Sequence, residues 1–159
     1  LVGSEMCIRD RYIIYDNVKN YLKYFTVGSF DIVLSNPPFF KVTENKELLN
    51  DLEQLSIARH EIELNLDELI EISSKLVKDR GYFYLVHRAD RLSEILVTLQ
   101  KYNFEAKKIK FCYTTKHKNA KIVLIEAIKN GKVGLTILPP LVINKDNGEY
   151  TDEVLKMFE

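Results

Sequence analysis

The feature that most constrains the fold is a short apolar run that stops at two adjacent prolines. The segment from Phe30 to Leu34 is apolar apart from Asp31, which predicts a strand buried on both faces, as in parallel sheets. Pro37 and Pro38 have no N–H to donate, so the sheet ladder cannot continue through them. We therefore expect a rigid loop at the carboxyl end of a strand, where open α/β sheets bind their ligands.

The loop itself carries groups suited to holding a flat amine. The side-chain oxygen of Asn36 and the backbone oxygen of Pro37 would accept both hydrogens of an exocyclic amine and favour its pyramidal, nucleophilic form. Phe39 would stack on the substrate, as aromatic rings stack on extruded bases. The tetrapeptide resembles the Asn-Pro-Pro-aromatic motif of S-adenosylmethionine-dependent amino-group methyltransferases. A plain strand-ending turn is the alternative.

Charge is balanced overall but unevenly distributed. The 159 residues have no net charge, so no global field attracts the chain to nucleic acid. The segment from Lys107 to Lys132, however, contains eight lysines and a single acid, Glu126. Such a segment indicates either a phosphate-facing patch or a solvated lysine surface, and the sequence favours neither.

Cysteine, histidine and hydropathy patterns exclude several classes of protein. Cys7 and Cys112 have neither disulfide nor metal spacing, which predicts a reduced, cytoplasmic protein. The histidines at positions 60, 87 and 117 form no ligand cluster, so we expect no metal. No apolar run has the length of a membrane span, and we expect a monomer without a membrane partner.

Strand and helix patterns alternate along the rest of the chain. Strands are predicted at Tyr12–Tyr15 and Tyr82–Val86, and Ile109–Tyr113 with Ile122–Ile128 predicts an antiparallel hairpin. Helical stripes cover residues 18–25, 44–57, 66–77 and 92–99, with a short final helix capped by Thr151. Asp16 or Asn17 can cap the helix of residues 18–25, and Gly81 is predicted as a C-terminal cap. This order predicts an α/β fold with a mostly parallel sheet.

Residues 1–11 have no sustained period and do not fit this pattern. We interpret them as a foreign or artefactual head, to be left out of fold reasoning, and residues 12–159 as the domain proper.

Several short segments together resemble one family. In order, they are Asn36 to Phe40, Ala58 to Glu61, Val86 to Arg88 with Arg91-Leu92, Gly134-Leu135, Pro139 to Leu141 and Gly148 to Thr151. This set resembles the tRNA(Val) adenine-N6 methyltransferase family over residues 12–159. The resemblance implies a Rossmann-like class I methyltransferase sheet with an antiparallel C-terminal hairpin. It also implies S-adenosylmethionine as methyl donor and the N6 amine of an anticodon-loop adenine in tRNA as target.

The same resemblance implies roles for individual residues. Asn36, Pro37 and Pro38 would hold the target amine, and Phe39 would stack on the flipped base. For the methyl donor it implies Asp16, with its neighbour Asn17. Substrate-binding candidates are Phe40, Arg59, His60, Lys116 and Lys118, with Lys121 as a further phosphate contact, while His87 and Arg88 would support the loop.

The chain departs from the family pattern in one respect. No glycine-rich turn between a strand and a helix precedes the Asn-Pro-Pro motif, since Gly3 stands alone in the head. We therefore expect the carboxyl-terminal part of a methyltransferase, with N-terminal strands missing, an exposed apolar edge beside Phe30 and little donor binding or activity on its own.

Other interpretations remain open. A related amino-methyltransferase would act on a protein glutamine, an rRNA guanine or a DNA adenine, whereas a non-catalytic RNA-binding fragment would keep only the scaffold. A fragment without any function of its own is the third interpretation.

Overall fold

The computed structural model describes residues 12–37 and 64–158. Within these ranges the elements are, in chain order, a 3-10 helix (Val18–Lys23), β1 (Phe30–Ser35), α1 (Leu66–Leu76), β2 (Val77–Arg88), a 3-10 turn (Ala89–Arg91), α2 (Leu92–Lys101), β3 (Phe104–Tyr113), β4 (Ile122–Lys129), β5 (Thr136–Ile137), β6 (Leu141–Val142) and α3 (Asp152–Leu155). The predicted α/β architecture is thus confirmed.

The strands form one sheet in the order β1-β2-β4-β3, with β5 and β6 both paired to the outer side of β3. The β1–β2 pair is parallel, and so are the short β3–β5 and β3–β6 pairs. Strand β4 is antiparallel to both of its neighbours, which confirms the predicted hairpin with β3. The ends of β1, β2 and β3 and the start of β4 therefore lie together, at what we call the carboxyl edge.

One face of the sheet is covered by α1 and α2. Apolar side chains alternate along β2, β3 and β4, and those on this face are almost completely buried together with apolar residues of the two helices. The largest fully buried side chains include Phe83, Phe104, Ile70, Leu85 and Ile95. This core fixes the strands whose ends make up the carboxyl edge.

The opposite face is only partly covered. Ile32 and Leu34 of β1 are 56% and 72% exposed, although the sequence predicts a strand buried on both faces. That prediction is wrong for the described residues, because none of their elements lies over this part of the sheet. At the far side, α3 and β6 do cover the face, and Cys112 is buried there with Leu141 and Val154.

The junction of α1 and β2 corrects the predicted role of Gly81. The helix ends at Leu76, and Gly81 lies inside β2, where four residues bulge between the pairs Phe30–Val77 and Ile32–Tyr82. A Cβ atom on Gly81 would lie 2.6 Å from Val77 Cγ1, so close packing rather than helix capping requires a glycine.

Side chains and loops remote in sequence cap α1 instead. The Lys129 ammonium donates to the backbone oxygens of Ser74 and Val77, and the Gly28 N–H donates to the Lys75 oxygen over 2.8 Å. These donors satisfy carbonyls that a helix end leaves without partners.

Three other predictions change near the chain ends. Tyr12–Tyr15 forms no strand, since none of the described residues pairs with it. The helix predicted from residue 18 is a 3-10 helix in which Tyr21 is buried. Thr151 precedes the final helix as predicted, but its hydroxyl donates to the Val142 oxygen rather than capping the helix.

Several predictions fall outside the described residues. These are the head of residues 1–11, the helix of residues 44–57, the segment from Ala58 to Glu61 and the site residues Pro38, Phe39, Phe40, Arg59 and His60. In the part of the chain that is described, no helix is long and apolar enough to cross a membrane.

Candidate active site

The Asn36-Pro37 segment leaves the sheet at the carboxyl edge. Ser35 is the last residue of β1 and pairs with Leu85 of β2. By strand alternation, Asn36 belongs to the uncovered face, as Leu34 does, and it is exposed. Within the described residues its amide makes no hydrogen bond. Among the described residues, the Asn36 oxygen is therefore an exposed acceptor without an internal partner.

Asp16 is held as an ionised carboxylate beside the 3-10 helix. Its Oδ1 accepts from the Asn17 N–H and the Asn20 amide, both over 2.7 Å, and its Oδ2 accepts from the Tyr24 hydroxyl over 2.7 Å. The hydrogen bond from Tyr24, followed by that from Asn20, lowers the pKa of Asp16 to about 2. The carboxylate side chain is 23% exposed.

The Asp16 carboxylate can accept one more hydrogen bond, as from an amine. A carboxylate has about four acceptor positions, and the three short hydrogen bonds occupy two on Oδ1 and one on Oδ2. One acceptor position on Oδ2 thus remains. The Oδ2 atom lies 3.7 Å from the Lys23 ammonium nitrogen. Asn17, by contrast, uses its side-chain oxygen to cap the 3-10 helix through the Lys19 N–H at 2.9 Å.

His87 is buried at the end of β2. The imidazole is 2% exposed, and its Nδ1 accepts from the Arg88 N–H over 2.9 Å, which leaves the proton on Nε2 in the neutral ring. Burial, and then the positive charge of Arg91, lowers the pKa of His87 to about 4. Arg88 forms an ion pair with Asp90. His87 and Arg88 therefore both make internal contacts at the carboxyl edge.

The lysine loop between β3 and β4 also lies at the carboxyl edge. The Lys121 oxygen accepts from the Ala89 N–H just beyond β2, over 2.9 Å. Lys116 is paired with Asp146 at 3.1 Å. Lys118 and Lys121 are exposed and have no carboxylate within ion-pair distance among the described residues.

Sequence reasoning missed a shallow cavity on the uncovered face. It has a volume of about 250 Å³ and is lined by Leu34, Tyr84, Val86, Lys108, Leu124 and Glu126, among others. Glu126 is paired with Lys108 at 3.0 Å and is hydrogen-bonded to Tyr84, whose pKa is raised by burial and by that contact. Tyr82, Tyr84 and Val86 alternate along β2, and this alternation is the sequence pattern that could have predicted a shared face. The described residues contain no cluster of His, Cys, Asp or Glu that could hold a metal ion.

Comparisons with known proteins find curated proteins of similar sequence. A tRNA1(Val) (adenine(37)-N6)-methyltransferase from Porphyromonas gingivalis is 31% identical over 136 residues, which are 82% of this chain and 50% of the relative. One from Phocaeicola vulgatus is 27% identical over 80% of the chain and 52% of the relative. This chain is similar in sequence to curated tRNA1(Val) (adenine(37)-N6)-methyltransferases. It spans about half the length of the curated relatives it matches, and no family model matches it.

Solved structures confirm the methyltransferase fold. A protein of Agrobacterium tumefaciens assigned by prediction as an O-methyltransferase aligns with a TM-score of 0.66 at 18% identity, over 89% of this chain and 59% of its own. A protein of Thermus thermophilus assigned as a DNA modification methylase aligns with a TM-score of 0.52 at 16% identity, over 89% of this chain and 70% of its own. The expected Rossmann-like methyltransferase sheet is therefore present.

Proposed function

We propose that this chain supplies the amine-holding part of an S-adenosylmethionine-dependent methyltransferase that acts on the N6 amine of an anticodon-loop adenine in a valine tRNA. The observation that carries the proposal is the exposed Asn36 at the end of β1 in a methyltransferase sheet, whose amide makes no hydrogen bond within the described residues. The similarity to relatives of that name supports the substrate. We further propose a cytoplasmic location.

The residues of the chain would act by position rather than by covalent chemistry. The oxygens of Asn36 and Pro37 accept the two amine hydrogens, which turns the nitrogen lone pair toward the incoming methyl group. Pro37 and Pro38 keep the loop stiff, and Phe39 stacks on the flipped base. After transfer, the surplus proton on nitrogen leaves to water, so no base of unusual pKa is required.

The methyl donor, when bound, supplies an electrophilic methyl group on a positively charged sulfur. We propose Asp16 as a contact for the adenine amine of that donor, since its ionised carboxylate is partly exposed and retains one acceptor position. Asn17 would shape the same turn through its cap. The three internal hydrogen bonds of Asp16 and the proposed contact with the methyl donor use different lone pairs of the carboxylate, so both can form at once.

The test uses the protein translated from the complete open reading frame that encodes these residues. Tritiated S-adenosylmethionine and unmodified valine tRNA are expected to yield N6-methyladenosine, identified by chromatography of the digested RNA. Asn36→Ala should lower the turnover by a factor of about 100 or more, because the acceptor that orients the amine is lost. Gln100→Ala, which removes an exposed amide on α2, is the matched control.

Other outcomes would contradict the proposal. Transfer to a release-factor glutamine, rRNA guanine or DNA adenine in preference to tRNA would identify a different amino-methyltransferase. RNA binding that survives Asn36→Ala without any methyl transfer by the parent protein would favour a non-catalytic RNA-binding module.

A further inference from the structure

The lysine loop occupies the same edge of the sheet as Asn36, although the two are about 80 residues apart in sequence. Strand β4 lies between β2 and β3 and runs antiparallel to both, so its first residue, Ile122, pairs with Arg88 and with Cys112. With strands about 4.8 Å apart, Asn36 and Lys121 are separated by about 10 to 15 Å. That span corresponds to roughly three or four stacked nucleotides of one strand.

Backbone hydrogen bonds hold the loop in place. The Lys121 N–H donates to the Cys112 oxygen over 3.3 Å, and the Lys118 N–H donates to the Thr115 oxygen over 3.1 Å. On the other side, the Asn144 N–H donates to the Thr114 oxygen over 2.8 Å. With the bond from the Ala89 N–H to the Lys121 oxygen, these contacts connect the loop to the end of β2, to β3 and to the turn after β6. The backbone that carries the loop lysines is therefore held in place.

The lysines of this segment differ in whether they are already paired. Lys108 and Lys110 contact Glu126 and Glu153, and Lys129 caps α1, so these three do not face a partner molecule. Lys116 Nζ and His117 Nε2 lie 3.1 and 3.8 Å from the two oxygens of Asp146. In the described part of the chain, that leaves Lys118 and Lys121 as exposed cations of the loop without an ion pair.

Asp146 pairs with Lys116 and His117 from a neighbouring turn. It lies in the turn of residues 144–150, which is closed by a 2.7 Å bond from the Lys145 N–H to the Glu149 oxygen and by a bridge between Asn144 and Tyr150. Lys116, His117 and Asp146 are all more than half exposed. An exposed pair of this kind contributes little to stability, so an external anion can replace the carboxylate at small cost.

We infer that the β3–β4 loop is an RNA-backbone contact surface, in which Lys118 and Lys121 bind phosphates that flank the target adenine while Asp146 restrains Lys116 and His117. The inference rests on the proposed function, because that function supplies RNA as the ligand and Asn36 as the position of its reacting base. It revises the sequence interpretation, which gave Lys116 the same role as Lys118.

The experiment measures binding of a fluorescein-labelled RNA hairpin carrying the valine anticodon loop, by anisotropy, to the complete protein at several salt concentrations. The Lys118→Gln/Lys121→Gln variant should bind at least about fivefold more weakly, with a salt slope smaller by about 1.4 to 1.8, since two phosphate contacts are lost. The Lys107→Gln/Lys132→Gln variant removes equal charge from the opposite end of the sheet and should bind within about twofold of the parent.

Asp146→Asn gives the opposite sign. Release of Lys116 and His117 should tighten RNA binding at least about twofold and steepen the salt slope. Lys116→Gln should weaken binding less than Lys118→Gln. Thermal unfolding of each variant verifies that the fold is retained.

Each outcome decides the inference. Equal losses in the two double variants, no loss in either, no RNA binding by the parent, or weaker binding by Asp146→Asn would overturn it. If the loop variants lose binding as expected while the parent transfers no methyl group to tRNA, the contact surface stands and the proposed function fails.

Discussion

At the scale of single residues, the chain places ionisable groups in two contrasting settings. Asp16 is surrounded by hydrogen-bond donors, so its charged form is favoured and its pKa lies near 2. His87 is buried and lies near Arg91, so its neutral form is favoured and its pKa is lowered from 6.5 to about 4. Both groups therefore keep their deprotonated form in the folded chain, and both stabilise it less as pH falls, His87 from pH of about 6.5 downward and Asp16 only from about 3.8 downward.

His87 should therefore make the folded chain sensitive to mild acid. Between pH of about 6.5 and about 4 the unfolded chain binds a proton that the folded chain does not, so the free energy of unfolding falls as pH falls. The full loss is on the order of 3 kcal/mol. Urea unfolding at neutral pH and at a pH just above the folded-state pKa of His87 measures it, and His87→Gln should reduce the difference between the two conditions. An unchanged difference in this variant would rule out His87 as the cause.

At the scale of elements, the end of α1 shows how a helix can stop without a glycine. The residue directly after Leu76 is Val77, which is extended with a φ of −75°, and β2 begins there. The helix instead receives donors from β4 and from the loop before β1, through Lys129 and Gly28. Capping of this kind couples the helix to the sheet, so loosening β4 also loosens α1.

Replacement of Lys129 tests that coupling. Lys129→Met should lower the free energy of unfolding by about 1 to 3 kcal/mol, because two partly buried carbonyl oxygens lose their donor. The exposed Lys132→Met variant, changed in the same way, should stay within about 0.5 kcal/mol of the parent. Urea denaturation compares the two. Equal effects would mean that hydrophobicity, rather than capping, is responsible.

Gly81 offers a second test in the same region. In Gly81→Ala the new methyl group would lie 2.6 Å from Val77 Cγ1 and 2.9 Å from the Asp31 oxygen, so backbone must shift. We expect a loss of about 1 to 3 kcal/mol in thermal or urea unfolding. Gly28→Asn, at a φ of +66° with open space around it, is the control and should cost less. A tolerated alanine at position 81 would show that the bulge can relax.

At the scale of the whole molecule, the two sides of the sheet are unequal. One face is closed by α1 and α2, whereas the β1 end of the other exposes Ile32, Leu34 and part of Tyr82. Strand β1 is also the edge of the described sheet, so unpaired backbone groups and apolar side chains coincide there. The same region borders Asn36, so self-association through β1 would take place close to the candidate site.

That region should drive self-association. Ile32→Lys is expected to reduce the concentration dependence of the apparent mass in light scattering, because a charge on an edge strand opposes pairing with another chain. Val97→Lys on α2 replaces another exposed apolar side chain, which is 68% exposed and lies away from the β1 edge. This variant should have little effect on the apparent mass. The idea fails if both variants behave alike or if the parent stays monomeric at every concentration.

The sequence by itself determined several local elements and the end of β1 at the Asn-Pro-Pro segment. Two prolines after a β-rich run end β1 at Ser35, just before Asn36, since neither ring nitrogen carries a hydrogen. Alternating side chains on β3, a polar connection and an apolar β4 predict the hairpin, and helical spacing predicts α1 and α2. All of these depend on residues that are close together in the chain.

Only the tertiary structure decided which distant residues meet. The insertion of β4 between β2 and β3 brings Lys121 to the edge that holds Asn36, and no local pattern specifies that order. Contacts across the fold likewise pair Lys116 with Asp146, place Lys129 at the end of α1 and pack Gly81 against Asp31. Exposure of β1 follows the same logic, because burial depends on what covers a strand rather than on its own apolar residues.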